Sequence, residues 1–441
     1  MQTVPFRDFQ ADERMFEFGR DLKRVFSRAK ERREEVWLEL IGADLLEAEA
    51  RQQSIEAGRV SCAEPVEANL RAAVLWREHA RRTGKRDSVM RSLHAASSAR
   101  RDAVRPERAA AGAVEMALTL ILKADLYGGT AALAAAGAAL DEAGPAEGLH
   151  GARIAAAHAR LSARRARGPV EGSCPYAAAA LLDAALHGLE NRPETAAEAA
   201  ELRLERATLS LEVGLRRRDA LALDLAGRDL RRLVDDASPD FAPLTRARAL
   251  AMCGVGMTHL AGLACNLEAM EQGRSLLLAA ADVFPVDHSP LDWVAIQLAL
   301  ALSAERTGEP VESVDLRQAE LLTQGEGLII GALAADARAA AETRAADRAG
   351  DLNGLKRVEI RLRRRLGRGQ AAQAPLEWAA DQIGLARVFL ARSRLGGGAL
   401  PAGLGVGLGE ARLVAEELGC PMLNDAATAL LAEVRLGVVG P

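Results

Sequence analysis

The chain has 441 residues, of which 49% are hydrophobic and only 3% aromatic, and its formal net charge is −4 with a pI near 6.1. A charge so close to balance excludes a whole-chain field that would attract nucleic acid or membranes. The five cysteines lack pair spacing, which is typical of a reducing compartment, and acidic residues interrupt the N-terminus where a secretory signal needs an apolar core. These features predict a cytoplasmic protein without a membrane span.

The first segment, predicted to run over residues 1–58, differs in composition from the rest. Five of the eight phenylalanines lie between Phe6 and Phe26. Phe18, Leu22, Val25 and Ala29 form an apolar stripe at helical spacing, which predicts long amphipathic helices. Two interpretations stay open. The stripe packs on the repeats that follow, which we favour, or it offers a dimer surface.

From Glu64 onward, glycine and proline divide the chain into helix-sized blocks, as at Gly84, before Pro106 and at Gly128. Such blocks joined by short turns predict antiparallel helical hairpins, and residues 59–240 are interpreted as an array of them with degenerate repeats. The run GLGVGLG, Gly403 to Gly409, lacks the spacing of a phosphate-binding loop and is predicted to be a loop of the same array. The uncharged run from Ala249 to Leu267 is predicted to be a buried helix of the array rather than a membrane span.

The clearest internal repeat is PLDWVAIQLALA, Pro290 to Ala301, which recurs as PLEWAADQIGLA, Pro375 to Ala386. Eight of the twelve positions repeat, counting Asp292 opposite Glu377. In each copy proline is predicted to occupy the first helical position, followed by an acidic residue near the positive end of the helix dipole. The two tryptophans, Trp293 and Trp378, are predicted to pack against neighbouring helices rather than bind a ligand.

One unit resembles the tetratricopeptide repeat family. Its large and small residues follow that family's spacing on two helices and end at a proline: Met257, Leu260, Ala261, Ala264, Gly273, Leu277, Ala280 and Pro285. Residues 241–441 are interpreted as repeats of this kind. The resemblance implies an all-α, right-handed superhelical array of antiparallel helical hairpins, an α-solenoid. The units here are spaced more widely than those of the family, and the family's tryptophan and tyrosine positions are mostly replaced.

The resemblance also implies a concave groove that holds an extended peptide or a helix of a partner protein. The function predicted on this basis is a protein-interaction scaffold or adaptor, with a regulatory role and the oligomeric state left open. The positions that match the family's groove-facing residues are Thr258, Asn266, Leu298, Glu305, Arg306, Ile383 and Arg387.

No catalytic, cofactor or metal site is predicted. The sequence contains neither GxxxxGK[ST] nor HExxH, and Cys253, His259 and Cys265 point in different directions on one helix. An enzyme is therefore not expected. The alternative function is a regulator that contacts nucleic acid through arginine clusters, directly or through a partner, although no aromatic residues interleave with them. The clusters are Arg361, Arg363, Arg364, Arg365 and Arg368; Arg164, Arg165 and Arg167; and Arg216, Arg217 and Arg218.

Overall fold

The computed structural model describes residues 35–167, 174–190, 193–237, 242–307, 313–367, 370–396 and 398–438. Within these ranges the chain forms nineteen α-helices and two short 3-10 helices, Glu35–Leu40 and Pro193–Thr195. The α-helices are α1 (Ala43–Ala57), α2 (Pro65–Thr83), α3 (Arg86–Asp102), α4 (Pro106–Tyr127), α5 (Ala131–Asp141), α6 (Gly148–Arg167), α7 (Pro175–Leu189), α8 (Ala196–Arg217), α9 (Ala220–Asp236), α10 (Pro243–Ala264), α11 (Leu267–Ala281), α12 (Pro290–Thr307), α13 (Ser313–Thr323), α14 (Ile329–Arg348), α15 (Leu352–Leu366), α16 (Gln370–Gln373), α17 (Pro375–Arg394), α18 (Leu404–Glu417) and α19 (Pro421–Val438).

The helices pair into eight hairpins within the described ranges: α2 with α3, α4 with α5, α6 with α7, α8 with α9, α10 with α11, α12 with α13, α14 with α15, and α17 with α18. Helices α1 and α19 pack at the two ends, and the described residues contain no β-strand. The predicted all-α array of antiparallel hairpins is therefore confirmed. Its handedness and the segment boundaries at residues 58 and 240 stay predictions.

Proline marks the beginning of most first helices. Five of the eight begin at a proline, where a missing N–H costs no hydrogen bond: Pro65, Pro106, Pro243, Pro290 and Pro375. The spacing of the hairpins is uneven, since the shortest interval between first helices runs from Pro290 to Ile329 and the longest from Gly148 to Ala196. Both copies of the internal repeat thus begin where the sequence predicts, and the wide, uneven spacing departs from the regular repeat of the family it resembles.

The repeated tryptophans lie between hairpins. Trp293 packs on the cluster that includes Leu244, Ala280 and Phe284, and also on the cluster that includes Ala319 and Ala334. Trp378 packs on the cluster shared by α14, α17, α18 and α19. The prediction that these side chains belong to the packing is confirmed.

Small residues bring α10 and α11 close together, as the resemblance implies. A Cβ atom built on Gly273 would lie 2.9 Å from the backbone nitrogen of Thr258, and one on Gly254 would lie 2.8 Å from the carbonyl oxygen of Gly273. Real Cβ atoms are essentially never found so close to backbone atoms. Only glycine fits at these two crossing points.

The array is curved so strongly that early and late hairpins contact each other. First helices of successive hairpins contact one another, which places them on the inner side of the curve. After five hairpins the chain returns, so that α2 contacts α12 and α4 contacts α14. Hydrogen bonds near the helix ends also connect the early hairpins with the late ones. Arg86 Nε donates to the Glu326 carbonyl at 2.7 Å, and Gly129 N donates to the Leu418 carbonyl at 3.3 Å. The inner surface of the first hairpins is therefore enclosed on several sides.

None of the described helices combines the length and the hydropathy that a membrane crossing requires. The uncharged run from Ala249 to Leu267 forms most of α10, the turn after it and the first residue of α11. Ala249, Gly254 and Ala261 are among its buried residues, which agrees with the predicted solenoid helix.

The prediction of a loop at Gly403 to Gly409 is wrong. Helix α18 begins at Leu404 and includes all but the first of these residues. Leu404, Leu408, Ala411 and Ala415 recur at helical spacing and pack into one core cluster. This apolar face outweighs the intrinsic cost of the glycines, which is about 1 kcal/mol each in a helix interior.

Candidate partner-binding cleft

A cleft of about 930 Å³ opens on the inner side of the first four hairpins. Its walls are the N-terminal parts of α2, α4, α6 and α8, together with Trp37, Leu38 and the α1 residues Glu49 and Gln53. The enclosure follows from the fold, because consecutive inner helices in a tightly curved array face a common axis. We call this space the cleft below.

Apolar side chains from three inner helices line the interior of the cleft. Leu70 and Val74 come from α2, Leu118 comes from α4, and Leu149 and Ile154 come from α6. Ile154 is buried and the other four are half-buried, so each keeps part of its surface turned to the cleft. A concave surface of this kind, with polar groups around it, is the usual form of a ligand site.

Ion pairs between neighbouring helices hold the charged residues of the walls in place. Arg77 Nε donates to Glu115 Oε2 at 3.0 Å, Arg153 Nε donates to Glu198 Oε1 at 2.9 Å, and Arg108 pairs with Glu67. The side chains of Arg77 and Glu115 are each only 15% exposed, so water screens this pair less than a surface pair. The walls are therefore polar and preorganised.

The pairing between α6 and α8 extends beyond the cleft. Arginines on one face of α6 form ion pairs with glutamates on the facing side of α8. Within each helix these residues are three, four or seven positions apart, which places them on the same helix face. The ion pairs run in order along both helices: Arg153 with Glu198, Arg160 with Glu201 at 3.1 Å, Arg164 with Glu205, and Arg167 with Glu212 at 2.9 Å.

One residue that lines the cleft, Glu201, takes part in an ion pair across the axis. Arg81 of α2 reaches Glu201 of α8 with 3.5 Å between Nη2 and Oε1, and Arg160 contacts the same carboxylate. Burial alone would raise the pKa of Glu201, but Arg81, Arg160 and Arg77 outweigh it and lower this pKa to about 2. Glu201 is therefore charged at neutral pH and ties three hairpins together.

Four charged side chains that line the cleft have no ion pair within the described ranges. Arg105, Glu107 and Glu194 are exposed, whereas Arg71 is half-buried. These groups are available to a ligand without the loss of an existing pair. A bound chain with both basic and acidic residues would match them.

A second polar cluster lies deep in the C-terminal hairpins. Arg365 Nε donates to Asp381 Oδ2 at 2.9 Å, and its guanidinium also contacts Glu320 and, at 3.8 Å, Glu377. Asp381 is only 1% exposed and Glu377 only 2%. Burial is the largest influence on Asp381, and because Arg365 offsets only part of it the pKa rises to about 6.

The raised pKa of Asp381 predicts a pH-dependent effect of the Asp381→Asn substitution. Because this pKa is higher in the folded than in the unfolded chain, its contribution to stability is full below about pH 4 and is lost as the pH rises through about 6. Asparagine does not titrate. The difference in unfolding free energy, Asp381→Asn minus wild type, should grow by about 1 to 1.5 kcal/mol between pH 5 and pH 7.5 in urea titrations.

Asp292→Asn is the matched control, because interaction with Arg248 lowers the pKa of Asp292 despite its burial. That contribution is lost only as the pH falls below about 4, so its difference from wild type should stay constant over the same range. Parallel pH profiles for the two variants would contradict the assignment.

The predicted groove residues do not form one surface. Thr258 is 5% exposed and its hydroxyl donates to the Val255 carbonyl at 3.0 Å. Asn266 caps α11 by accepting a hydrogen bond from Ala269 N at 3.1 Å. Leu298 is half-buried against a cluster between α12, α13 and α14. Each of these three thus has a packing, hydrogen-bonding or capping contact within the array.

The remaining predicted residues lie further along the chain. Ile383 is fully buried in the core of α17. Arg387 Nη2 donates to Asp336 Oδ2 at 3.1 Å, and Glu305 pairs with Arg344 at a smaller groove of about 630 Å³ between α12, α14 and α15. The Arg306 side chain lies outside the described residues. A partner-binding role for these seven residues stays a prediction, and none of them lines the cleft.

Most arginines of the predicted nucleic-acid clusters have intramolecular partners. Arg361 pairs with Glu342 at 2.6 Å, Arg363 with Glu359 at 2.9 Å, and Arg365 with the carboxylates described above. Arg216 donates to the Arg167 carbonyl at 3.0 Å, and Arg217 lies over the Tyr176 ring. Arg368 lies outside the described residues. Contact of these clusters with nucleic acid stays a prediction.

Sequence reasoning missed the residues of the cleft, although part of the signal was present. Arg153, Arg160 and Arg167 recur at every seventh position, and Glu198, Glu205 and Glu212 do the same further along the chain. Such matched charges at helical spacing indicate two facing helices. The side chains from α2 and α4 carried no comparable pattern.

No family model and no curated protein matches this chain. Among solved structures, it is similar to one titled "Crystal Structure of Rap Protein Complexed with Competence and Sporulation Factor", with 12% sequence identity and a TM-score of 0.49. The similarity covers 85% of this chain and 98% of that one. Identity this low carries no inference about what this chain binds.

Proposed function

We propose that the chain is a protein-interaction scaffold whose cleft binds a short segment of a partner protein. The observation that supports it best is the combination, in one enclosed space, of an apolar interior with walls of preformed ion pairs. Apolar side chains of a peptide would enter between Leu70, Leu118 and Ile154. Its backbone N–H and C=O groups would hydrogen-bond to the carboxylates and guanidinium groups of the walls.

Preorganisation supports binding at this place. Side chains that are already held in ion pairs lose little conformational entropy when a ligand arrives, which is a main cost of association. In the C-terminal hairpins, by comparison, α14 and α17 pack directly on each other, with Ala339 3.1 Å from a Cβ built on Gly384.

The proposal predicts that one substitution inside the cleft abolishes most of the peptide binding. A peptide selected from a random library on the intact chain should bind Leu70→Arg at least tenfold more weakly, because the added charge occupies the apolar interior. Tenfold corresponds to about 1.4 kcal/mol. Fluorescence anisotropy with the labelled peptide measures the dissociation constants.

Leu181→Arg is the matched control, since Leu181 is 50% exposed on α7, outside the cleft. It should bind the peptide as the wild type does, and far-UV circular dichroism should be the same for all three proteins. Equal affinities for wild type and Leu70→Arg would reject the cleft as the binding site.

A further inference from the structure

Two of the first described residues line the cleft. Trp37 and Leu38 line it, and the 3-10 helix that carries them is fixed by two elements. Arg82 donates to the Leu38 and Ile41 carbonyls at 2.6 Å each, and Thr245 N donates to Glu39 at 3.0 Å. The residues ahead of Glu35 are therefore covalently attached to a point beside the cleft.

The length of chain ahead of this point is sufficient to fill the cleft. The cleft extends along α2 from Glu67 to Arg77, which corresponds to roughly 15 Å of helix axis. Residues 16–33 would span about 27 Å even as an α-helix, at about 1.5 Å per residue, and more in an extended form.

The apolar residues of this stretch match the interior of the cleft. Residues 16–33 contain three phenylalanines, Phe16, Phe18 and Phe26, together with Leu22 and Val25. The described residues give the cleft aliphatic side chains from three helices but no phenylalanine, tyrosine or tryptophan other than Trp37. Phenylalanine rings supply large apolar area at a small cost in side-chain entropy, which suits such a surface.

Both the stretch and the cleft carry charges of both signs. Residues 16–33 contain seven arginines and lysines against three acidic residues. Seven glutamates line the cleft beside six arginines, and two of the glutamates, Glu107 and Glu194, are exposed without an ion pair within the described ranges. Basic residues of the stretch would pair with them, and its acids would meet Arg71 and Arg105.

We propose that residues 16–33 bind in the cleft of the same molecule, so that a partner segment must displace an internal occupant. This rests on the proposed function of the cleft. A tethered occupant is present at an effective concentration in the millimolar range for a short linker, and only a partner of higher affinity or high concentration displaces it. A competing partner segment would share the chemistry of the stretch, with aromatic and basic residues together.

Photo-crosslinking of the full chain tests the proposal. Phe18 is replaced by p-benzoylphenylalanine, the protein is irradiated, and peptide mass spectrometry maps the crosslinks. Unlabelled and ¹⁵N-labelled chains are mixed to separate crosslinks within one molecule from those between molecules. The proposal predicts crosslinks within one molecule to residues 67–201, reduced at least fivefold by Leu70→Arg and unchanged by Leu181→Arg.

Two results would overturn it. Crosslinks between labelled and unlabelled chains would make the occupant a second copy, and crosslinks elsewhere, or none, would place residues 16–33 outside the cleft. The peptide measurement separates this inference from the proposed function. If Leu70→Arg weakens binding of the selected peptide while Phe18 does not crosslink to the cleft, only the internal occupant is rejected.

Discussion

Arg82→Met should lower the free energy of unfolding by about 3 to 5 kcal/mol, the usual cost of breaking a buried ion pair from one side. The Arg82 side chain is fully buried, and its guanidinium donates to Glu78 Oε1 and to the carbonyls of Leu38 and Ile41, each at 2.6 Å. Methionine fills a similar volume but supplies no donor. Two buried carbonyls would then lose the hydrogen bonds from Arg82, and Glu78 would lose one of its ion pairs while it keeps the one with Arg81.

Arg59→Met is the control for this substitution. Arg59 pairs with Glu56 at 2.7 Å, but the two side chains are 53% and 40% exposed, so the pair contributes less than about 1 kcal/mol. Urea unfolding followed by circular dichroism measures both variants. If Arg59→Met and Arg82→Met lowered the free energy of unfolding by similar amounts, the buried hydrogen bonds from Arg82 to the 3-10 helix and to Glu78 would contribute no more than an exposed ion pair.

Gly273→Ala should cost about 2 to 3 kcal/mol, although alanine is the better helix former. The added methyl group would lie 2.9 Å from Thr258 N and 3.1 Å from the Gly254 carbonyl oxygen, both in the backbone of the facing helix. Helices α10 and α11 would have to separate, which opens the cluster that Ala280 forms with Leu244 and Phe284. Thermal unfolding monitored by far-UV circular dichroism gives the change.

The same substitution at Gly227 provides the opposite expectation. Gly227 lies in α9, and a Cβ built there meets no atom within 4 Å. Gly227→Ala should therefore stabilise the protein by about 0.5 to 1 kcal/mol through helix propensity alone. If the two substitutions changed stability in the same direction, the close approach of α10 and α11 would be wrong.

The sequence predicts the helices well where proline or glycine punctuates it, as at Pro290, Pro375 and Gly84. It does not reveal the turns that asparagine and aspartate make. Arg218 and Cys265 adopt left-handed conformations with φ of 54° and 52°, and the next residues, Asp219 and Asn266, cap the following helices with their side chains. Because neither turn contains a glycine, the sequence around Cys265 reads as continuous helix and the sequence around Arg218 reads as a basic cluster.

The position of the cleft could not be predicted because it depends on curvature. Arg81 and Glu201 meet across the axis although they lie far apart in the sequence. No local sequence pattern predicts this ion pair, because it results from the packing of each inner helix on the next. The partner-binding role predicted for the seven residues of the C-terminal half stays a prediction, but the packing around them could not be read from the sequence either. Small residues such as Ala339 and Gly384 let α14 and α17 close on each other, and Ile383 is buried.

Amide hydrogen exchange with and without the selected peptide tests the central claim most directly. If the cleft is the binding surface, the peptide should slow exchange in the N-terminal parts of α2, α4, α6 and α8. Exchange in α14 and α17 should stay unchanged. Slowed exchange confined to α14 and α17, with the first four hairpins unaffected, would contradict the account.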